Sequence, residues 1–282
     1  MFIPPMLLQT APEPFSDPGY IFEPKIDGHR LILAHINGQT RLYTRHRTDC
    51  TRQYPEIAAF THPADIILDG EVACADPVTG AVDFELVMER FSARKELKVK
   101  QLATTLPANF VAFDVLRLGD RDTRVLPLLE RKRILNELDL SACPAIGKIP
   151  VIDGAGEALY DQVRSLKLEG MVAKRKDSVY VGNRSAAWLK VINWTYVDVF
   201  LTGYRKNEFG WLTSHEGRPA GVIELGVTPK QKSAFYAAAK ELVVAEDREH
   251  VYLRPAIRAR VKIRNWTQRG MLRSPSFVGF IS

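Results

Sequence analysis

Two turn dipeptides ten residues apart, Asp27-Gly28 and Asn37-Gly38, cut the first fifty residues into apolar runs too short for ordinary helices. Residues 20–25 and 30–36 read as strands around the first dipeptide, and residues 41–45 as a strand beyond the second. The pattern predicts an antiparallel meander with Asp27-Gly28 as a hairpin turn. Further strands are expected at 65–69 and 109–116, and helices at 83–91, at 126–138 after the break at Pro127, and at 156–168. The class is α+β, with antiparallel sheets and flanking helices.

From Tyr196 the texture changes. Short apolar runs at 197–204 and 220–227 precede one amphipathic helix, 229–244, and strands at 251–253 and 258–266. Several short strands with a single helix suit a small β-barrel of the oligonucleotide-binding (OB) kind. The expected domains are 1–193 and 194–282, and with no Pro/Gly/Ser linker at Trp194, movement between them would be a hinge of a few residues. At 282 residues and 46% hydrophobic content, each half can bury a core of its own.

No run approaches the roughly 20 apolar residues of a membrane helix, and Met1-Phe2-Ile3-Pro4-Pro5 lacks the layout of a signal peptide, so a cytoplasmic protein is expected. Cys50, Cys74 and Cys143 form no C-x-x-C pair, and read as isolated thiols.

The charge is uneven. Residues 1–194 carry 25 Lys+Arg against 25 Asp+Glu, residues 195–282 carry 14 against 8, and the net +6 therefore lies in the last third. Residues 250–282 hold seven basic side chains and no acidic one. A phosphate backbone accounts for such bias, because neutralising phosphates releases condensed counterions.

Lys25-Ile26-Asp27-Gly28-His29-Arg30 has the form K-x-D-G-x-R, which chance supplies in roughly one chain of this length in a few hundred. It reads either as a turn with solvated basic neighbours or as a lysine nucleophile held at a strand end. A lysine nucleophile must first lose its proton, which for a free side chain costs about 5 kcal/mol at pH 7. Neighbouring cations, such as Arg30, ease that loss.

Further motifs follow in order: Thr44-Arg45, then Leu68-Asp69-Gly70-Glu71-Val72, Phe113-Asp114-Val115-Leu116, Glu169-Gly170-Met171-Val172-Ala173-Lys174 and Trp188-Leu189-Lys190. The series resembles the covalent nucleotidyltransferase superfamily and, within it, the small ATP-dependent DNA ligases of bacterial or phage type, over about residues 3–277. The resemblance implies a nucleotidyltransferase (adenylation) domain followed by an OB-fold domain. It also implies ATP as cofactor, held as lysyl-AMP, with Mg2+, for which Mn2+ can substitute. The partner would be nicked double-stranded DNA with a 3′-hydroxyl and a 5′-phosphate, sealed by a monomer.

The implied roles fall on particular residues. Lys25 would attack the α-phosphate, Glu23 would read the adenine edge, and Phe113 would stack on the purine. Arg45 and Glu71 would address the ribose and its phosphate, with Arg30 also at the nucleotide. Glu71 and Glu169 are hard oxygen ligands suited to Mg2+. Lys190 and Lys174 would offset the growing α-phosphate charge, and Asp27 would serve the sealing step. DNA would lie on Arg258, Arg260, Lys262, Arg264 and Arg269, with strand alternation turning about half of that basic run inward. The stretch 90–100, with Arg90, Arg94, Lys95, Lys98 and Lys100, reads either as a second DNA contact or as a solvated helix.

Taken singly these motifs have plainer readings: Phe113 as core, Glu169-Gly170 as a helix stop, Asp69-Gly70-Glu71 as a turn. Their joint order favours the functional one. Capping enzymes and RNA ligases share the lysine motif, and a nucleic-acid-binding protein with a degenerate catalytic domain is a third class. The run Trp266-Thr267-Gln268-Arg269-Gly270-Met271-Leu272-Arg273-Ser274-Pro275-Ser276-Phe277 resembles the W-T-x-x-G-x-L-R-x-P-x-F segment of bacterial ATP-dependent DNA ligases and favours that branch. Three departures stand out. Ile192 replaces a second lysine, Arg47 replaces a frequent glycine, and no R-x-D-K follows Phe277, which predicts either slow charging with AMP or a substitute arginine among Arg260, Arg264 and Arg269.

Overall fold

In the computed structural model, which describes residues 1–281, the chain begins with β1 (Leu7–Thr10) and β2 (Tyr20–Pro24). Asn37 and Gly38 both take positive φ, 50° and 72°, and their tight turn joins β3 (His29–Ile36) to β4 (Gln39–Thr44) as the dipeptide predicts. Next come α1 (Pro55–Ala58), β5 (Ile66–Cys74), α2 (Phe84–Ser92), α3 (Glu96–Thr105), β6 (Ala108–Leu118) and β7 (Arg121–Asp122). Then follow α4 (Leu128–Glu137), β8 (Ile146–Lys148), β9 (Ile152–Asp153), α5 (Gly156–Ser165), β10 (Gly170–Arg175) and β11 (Arg184–Ile192). These elements make up a first unit, Met1–Asn193.

Asp27-Gly28 is not a hairpin turn. β2 pairs with β10 and β9 in a sheet ordered β1-β11-β10-β2-β9, whereas β3 lies in a second sheet with β4, β5, β6, β7 and β8. The segment 25–28 therefore crosses from one sheet to the other. β2 goes to the first sheet because its Phe22 packs with Leu159 and Val163 of α5 and Met171 of β10. A hairpin with β3 would forfeit that burial, worth about 1.5–3 kcal/mol for each such side chain. Both sheets are mainly antiparallel, with parallel pairs at β1–β11 and β6–β8.

The second sheet is buried on both faces. On β3, Leu31 and Leu33 join a core with Tyr54, Phe110, Val87 and Val99, while Ile32 and Ala34 face a core shared with Ile21 and Trp188 of the first sheet. The layers thus run helices, sheet, sheet, helix, and β3 lacks the alternation of a one-sided strand. Among the described residues no helix is long and apolar enough to cross a membrane. The three cysteines are buried and free.

The second unit, Trp194–Ser282, contains β12 (Thr195–Arg205), β13 (Trp211–His215), β14 (Arg218–Ile223), α6 (Pro229–Ala239), β15 (Val243–Glu246), β16 (His250–Ile263) and β17 (Ser276–Ile281). Thr228 caps α6 with a reciprocal Gln231 contact, a capping box. The strands form one antiparallel six-stranded sheet, β14-β13-β12-β16-β15, with β17 also on β16. It is a half-barrel of OB-like character. Between its ends, the Phe277 N–H donates to the Leu225 carbonyl (2.9 Å) and the Leu272 N–H to the Ala220 carbonyl (2.8 Å). The segments expected at 251–253 and 258–266 are one continuous strand, β16. Thr267 and Gly270 then form a tight turn that folds Trp266 back onto Leu272.

Candidate active site

Lys25 lies on the crossover between the sheets of the first unit, and two backbone contacts fix it. Its N–H donates to the Gly170 carbonyl at the start of β10 (2.8 Å). Three residues on, a Cβ on Gly28 would stand 2.0 Å from the carbonyl oxygen of Val72 on β5, so only glycine fits there. The lysine is thereby tied to one sheet and its loop to the other.

The side chains converge on a cleft lined by Leu8, Glu23, Pro24, Lys25, Ile26, Arg30, Glu71, Phe113, Ile149, Val172, Lys174 and Trp188. Register explains the convergence. Glu23 and Val172 are paired across β2 and β10, as are Lys174 and Trp188 across β10 and β11, while Arg30 and Glu71 are paired across β3 and β5. Partners in adjacent strands point to one face.

Glu169, just before β10, reaches the cleft through its carboxylate, 2.6 Å from Lys25 Nζ. Opposite it, Asp69 holds Arg30 by two hydrogen bonds of 2.5 Å, and the Tyr180 hydroxyl donates to the same carboxylate at 2.6 Å. Asp69 and Tyr180 were not singled out as site residues from the sequence, although Asp69 lies within a quoted motif. They aim Arg30 across the ring of Phe113, its guanidinium carbon 4.5 Å from the centroid.

Phe113 lines the cleft. It is 7% exposed, with Lys174 Nζ 4.2 Å from its centroid besides Arg30, so two cations lie against its ring. Lys174 also lies 4.1 Å from the ring centre of Trp188 and 2.7 Å from Glu23. Burial, with Lys132 adding repulsion, lowers the Lys174 pKa to about 8 despite the pull of Glu23. Burial pushes the Glu23 carboxyl up, yet Lys132 and Lys174 outweigh it and hold the group below the usual carboxylate range. Half-buried Glu71 is pushed up to about 7, by desolvation first and by Glu169 and Asp69 further, against Lys25 and Arg30.

Lys190, paired with Val172, is on the cleft side of β11 without lining the cleft. Asp27 lies on the crossover itself, and Arg45 is exposed just beyond β4. Arg47, where the resemblance implies glycine, has a φ of 66° in the left-handed region. Among the described residues no group of three or more His, Cys, Asp or Glu is placed to hold a metal, so an ion here would have Glu71 and Glu169 with ligand oxygens and water.

Two sequence expectations about basic residues change. Arg90 is fully buried and pairs with Glu56 at 2.7 Å while donating to the carbonyls of Gln53, Leu102 and Leu106, so it braces α2 against α3 and presents no charge at the surface. In the second unit, Arg258, Arg260 and Lys262 share parity on β16 and none turns inward, while Ala259, Val261 and Ile263 fill the core. Arg260 is engaged by Asp198 at 2.7 and 3.0 Å, and Lys262 Nζ lies 5.0 Å from the Trp194 ring centre. Arg264 and Arg269 lie beyond the strand end.

A lysine on a sheet-to-sheet crossover, flanked by carboxylates and by arginine and lysine cations, equips an enzyme to handle phosphate groups. The chain belongs to the ATP-dependent DNA ligases: residues 5–191 match the family model described as ATP dependent DNA ligase domain. It is 39% identical over 279 residues to the SPbeta prophage-derived DNA ligase-like protein LigB of Bacillus subtilis (strain 168), covering 98% of each chain. To the bifunctional non-homologous end joining protein LigD of the same organism it is 31% identical over 284 residues, covering 92% of this chain but 46% of that protein. A solved structure described as mycobacterial DNA ligase D complexed with ATP and MES superposes with a TM-score of 0.61 at 25% identity, covering 99% of this chain and 95% of that one. A Lig E DNA ligase structure shares the fold at a TM-score of 0.69 and 18% identity, covering 98% of both chains.

Proposed function

We propose that this chain seals nicks in duplex DNA through a lysyl-AMP intermediate on Lys25, working as a monomer in the cytoplasm. The carrying observation is Lys25 itself, fixed on the crossover, facing a cleft, with Glu169 2.6 Å away. In the first step Nζ loses its proton to solvent water, leaves Glu169 and attacks the α-phosphorus of ATP. A P–N bond forms and the bond to pyrophosphate breaks. AMP then passes to the 5′-phosphate of the nick, and the 3′-hydroxyl attacks that phosphorus, forming the phosphodiester and releasing AMP.

The other residues suit this reading. Glu23 meets the adenine edge, Arg30, Lys174 and Lys190 balance phosphate charge, and Arg45 with Glu71 addresses the ribose and its phosphate. Phe113 offers its ring once a cation moves aside, and Asp27 serves the sealing step. Glu71 and Glu169 would hold Mg2+ or Mn2+, which when bound neutralises phosphate charge. The first unit serves as the adenylation domain and the second as an OB-fold DNA-binding domain, whose β16 carries Arg258, Arg260 and Lys262 on one face beside Tyr196 and Phe200 of β12.

Intact mass after incubation with ATP and Mg2+ tests the reading. A single AMP adduct is expected on the wild type and none on Lys25→Arg, whose guanidinium stays protonated. Adenylylation retained in that variant would sink the assignment of the nucleophile.

A further inference from the structure

Glu23 is 2% exposed, and two ammonium groups reach it from different places. Lys174 lies beside it on the cleft face of β10, while Lys132 comes from α4 and does not line the cleft. α4 otherwise buries Leu128, Ile134 and Leu135, with Arg131 paired to the buried Asp114, so Lys132 occupies a core-facing position of an amphipathic helix. A cation there costs desolvation unless paired, and among the described residues the Glu23 carboxylate pairs it. Each oxygen of Glu23 thus meets one ammonium group, and a carboxylate oxygen keeps a second lone pair with which to accept a further donor.

Resting on the nucleotide reading of this cleft, we infer that Lys132 is a positioning residue for base selection: it holds Glu23 from behind as a fixed carboxylate that accepts from a 6-amino purine and repels a 6-oxo purine. An ionised carboxylate is acceptor-only, so it takes a hydrogen bond from the exocyclic amine of adenine and faces the carbonyl of hypoxanthine lone pair to lone pair. A hydrogen bond to a charged group is stronger than a neutral one, and the discrimination it supplies is about tenfold or more. Without Lys132 the carboxylate is free to turn toward Lys174 or to take up a proton, and a protonated carboxyl can donate to a 6-oxo group.

The experiment compares rates of adduct formation on Lys25 with ATP and with ITP, read by intact mass on the full chain, in wild type, Lys132→Met and Lys132→Arg. Lys132→Met should cut the ATP:ITP rate ratio about tenfold, mainly through the ATP arm, and Lys132→Arg should restore most of it. A ratio unchanged in Lys132→Met, with both rates falling together, would show a structural role only and overturn the inference. Should Lys132→Met not fold, Glu23→Gln and Glu23→Gln/Lys132→Met carry the test, the second change removing a cation the first leaves unpaired. Equal ratios in these two are expected, and a further change in the double variant would overturn action through Glu23. A wild type that takes up neither nucleotide would instead sink the reading of the cleft, which separates the two failures.

Discussion

Among the cleft residues, Glu71 has an ionisation that depends strongly on the fold. Its pKa of about 7, against 4.5 for the ordinary side chain, means that the folded protein binds this proton more tightly than the unfolded chain does. The corresponding stability is fully present below about pH 4.5 and is lost as the pH rises through about 7. Glu71→Gln, which imitates the protonated form, should therefore stabilise the protein at pH 8 by about 1 kcal/mol, after discounting the shift for partial exposure, and leave it unchanged near pH 4. Denaturant melts of both proteins at the two pH values check this, and a gain present equally at pH 4 would assign it to something other than ionisation. Lys174, lowered to about 8, shows the same cause acting on a cation: burial first, with Lys132 adding to it.

At the scale of elements, the crossover after β2 carries the site. Gly28→Ala would press a Cβ against the Val72 carbonyl, and the loop bearing Lys25 would have to move. A stability loss of about 1–3 kcal/mol is expected, with AMP labelling of Lys25 falling further than the melting shift explains. Normal labelling in a destabilised Gly28→Ala protein would show that the close approach serves packing alone. The α2–α3 pair makes the opposite point, because its central arginine is structural. Arg90→Met should cost about 3 kcal/mol by stranding Glu56 and three backbone carbonyls, with no change in the salt dependence of DNA binding. A flatter salt dependence in that variant would return Arg90 to the DNA surface.

For the whole molecule the charge asymmetry matters: a net-neutral first unit joined to a second unit that carries the +6. If the outward face of β16 meets the phosphate backbone, Arg258→Glu and Lys262→Glu should each flatten the plot of log K against log salt by about one unit. Arg260 already spends its charge on Asp198, so Asp198→Asn should steepen the same plot by freeing it. Titrations of nicked duplex between low and physiological salt would reveal this, and slopes identical in all three variants would place the DNA surface elsewhere.

Short-range rules made much of this chain legible. The Asn37-Gly38 turn, the strands at 29–36 and 108–118, the helices α2, α4 and α5 and the basic bias after residue 250 follow from dihedral preference, periodicity and charge, which neighbours in the chain largely decide. The ordered motifs also marked Glu23, Lys25, Arg30, Glu71, Phe113 and Lys174, which line one cleft. Lys132 and Arg131 left a faint trace as cations on the apolar stripe of α4, but a stripe does not name its partners. What remained depended on residues far apart in sequence. β2 leaves β3 for β10 because Phe22 finds its burial there, Lys25 meets a carboxylate 144 positions away, and Arg90 is buried where its charge pattern suggested a surface. Strand partners, burial and the ionisation of buried groups are set by which distant surfaces exclude water together, and only the tertiary structure decides that.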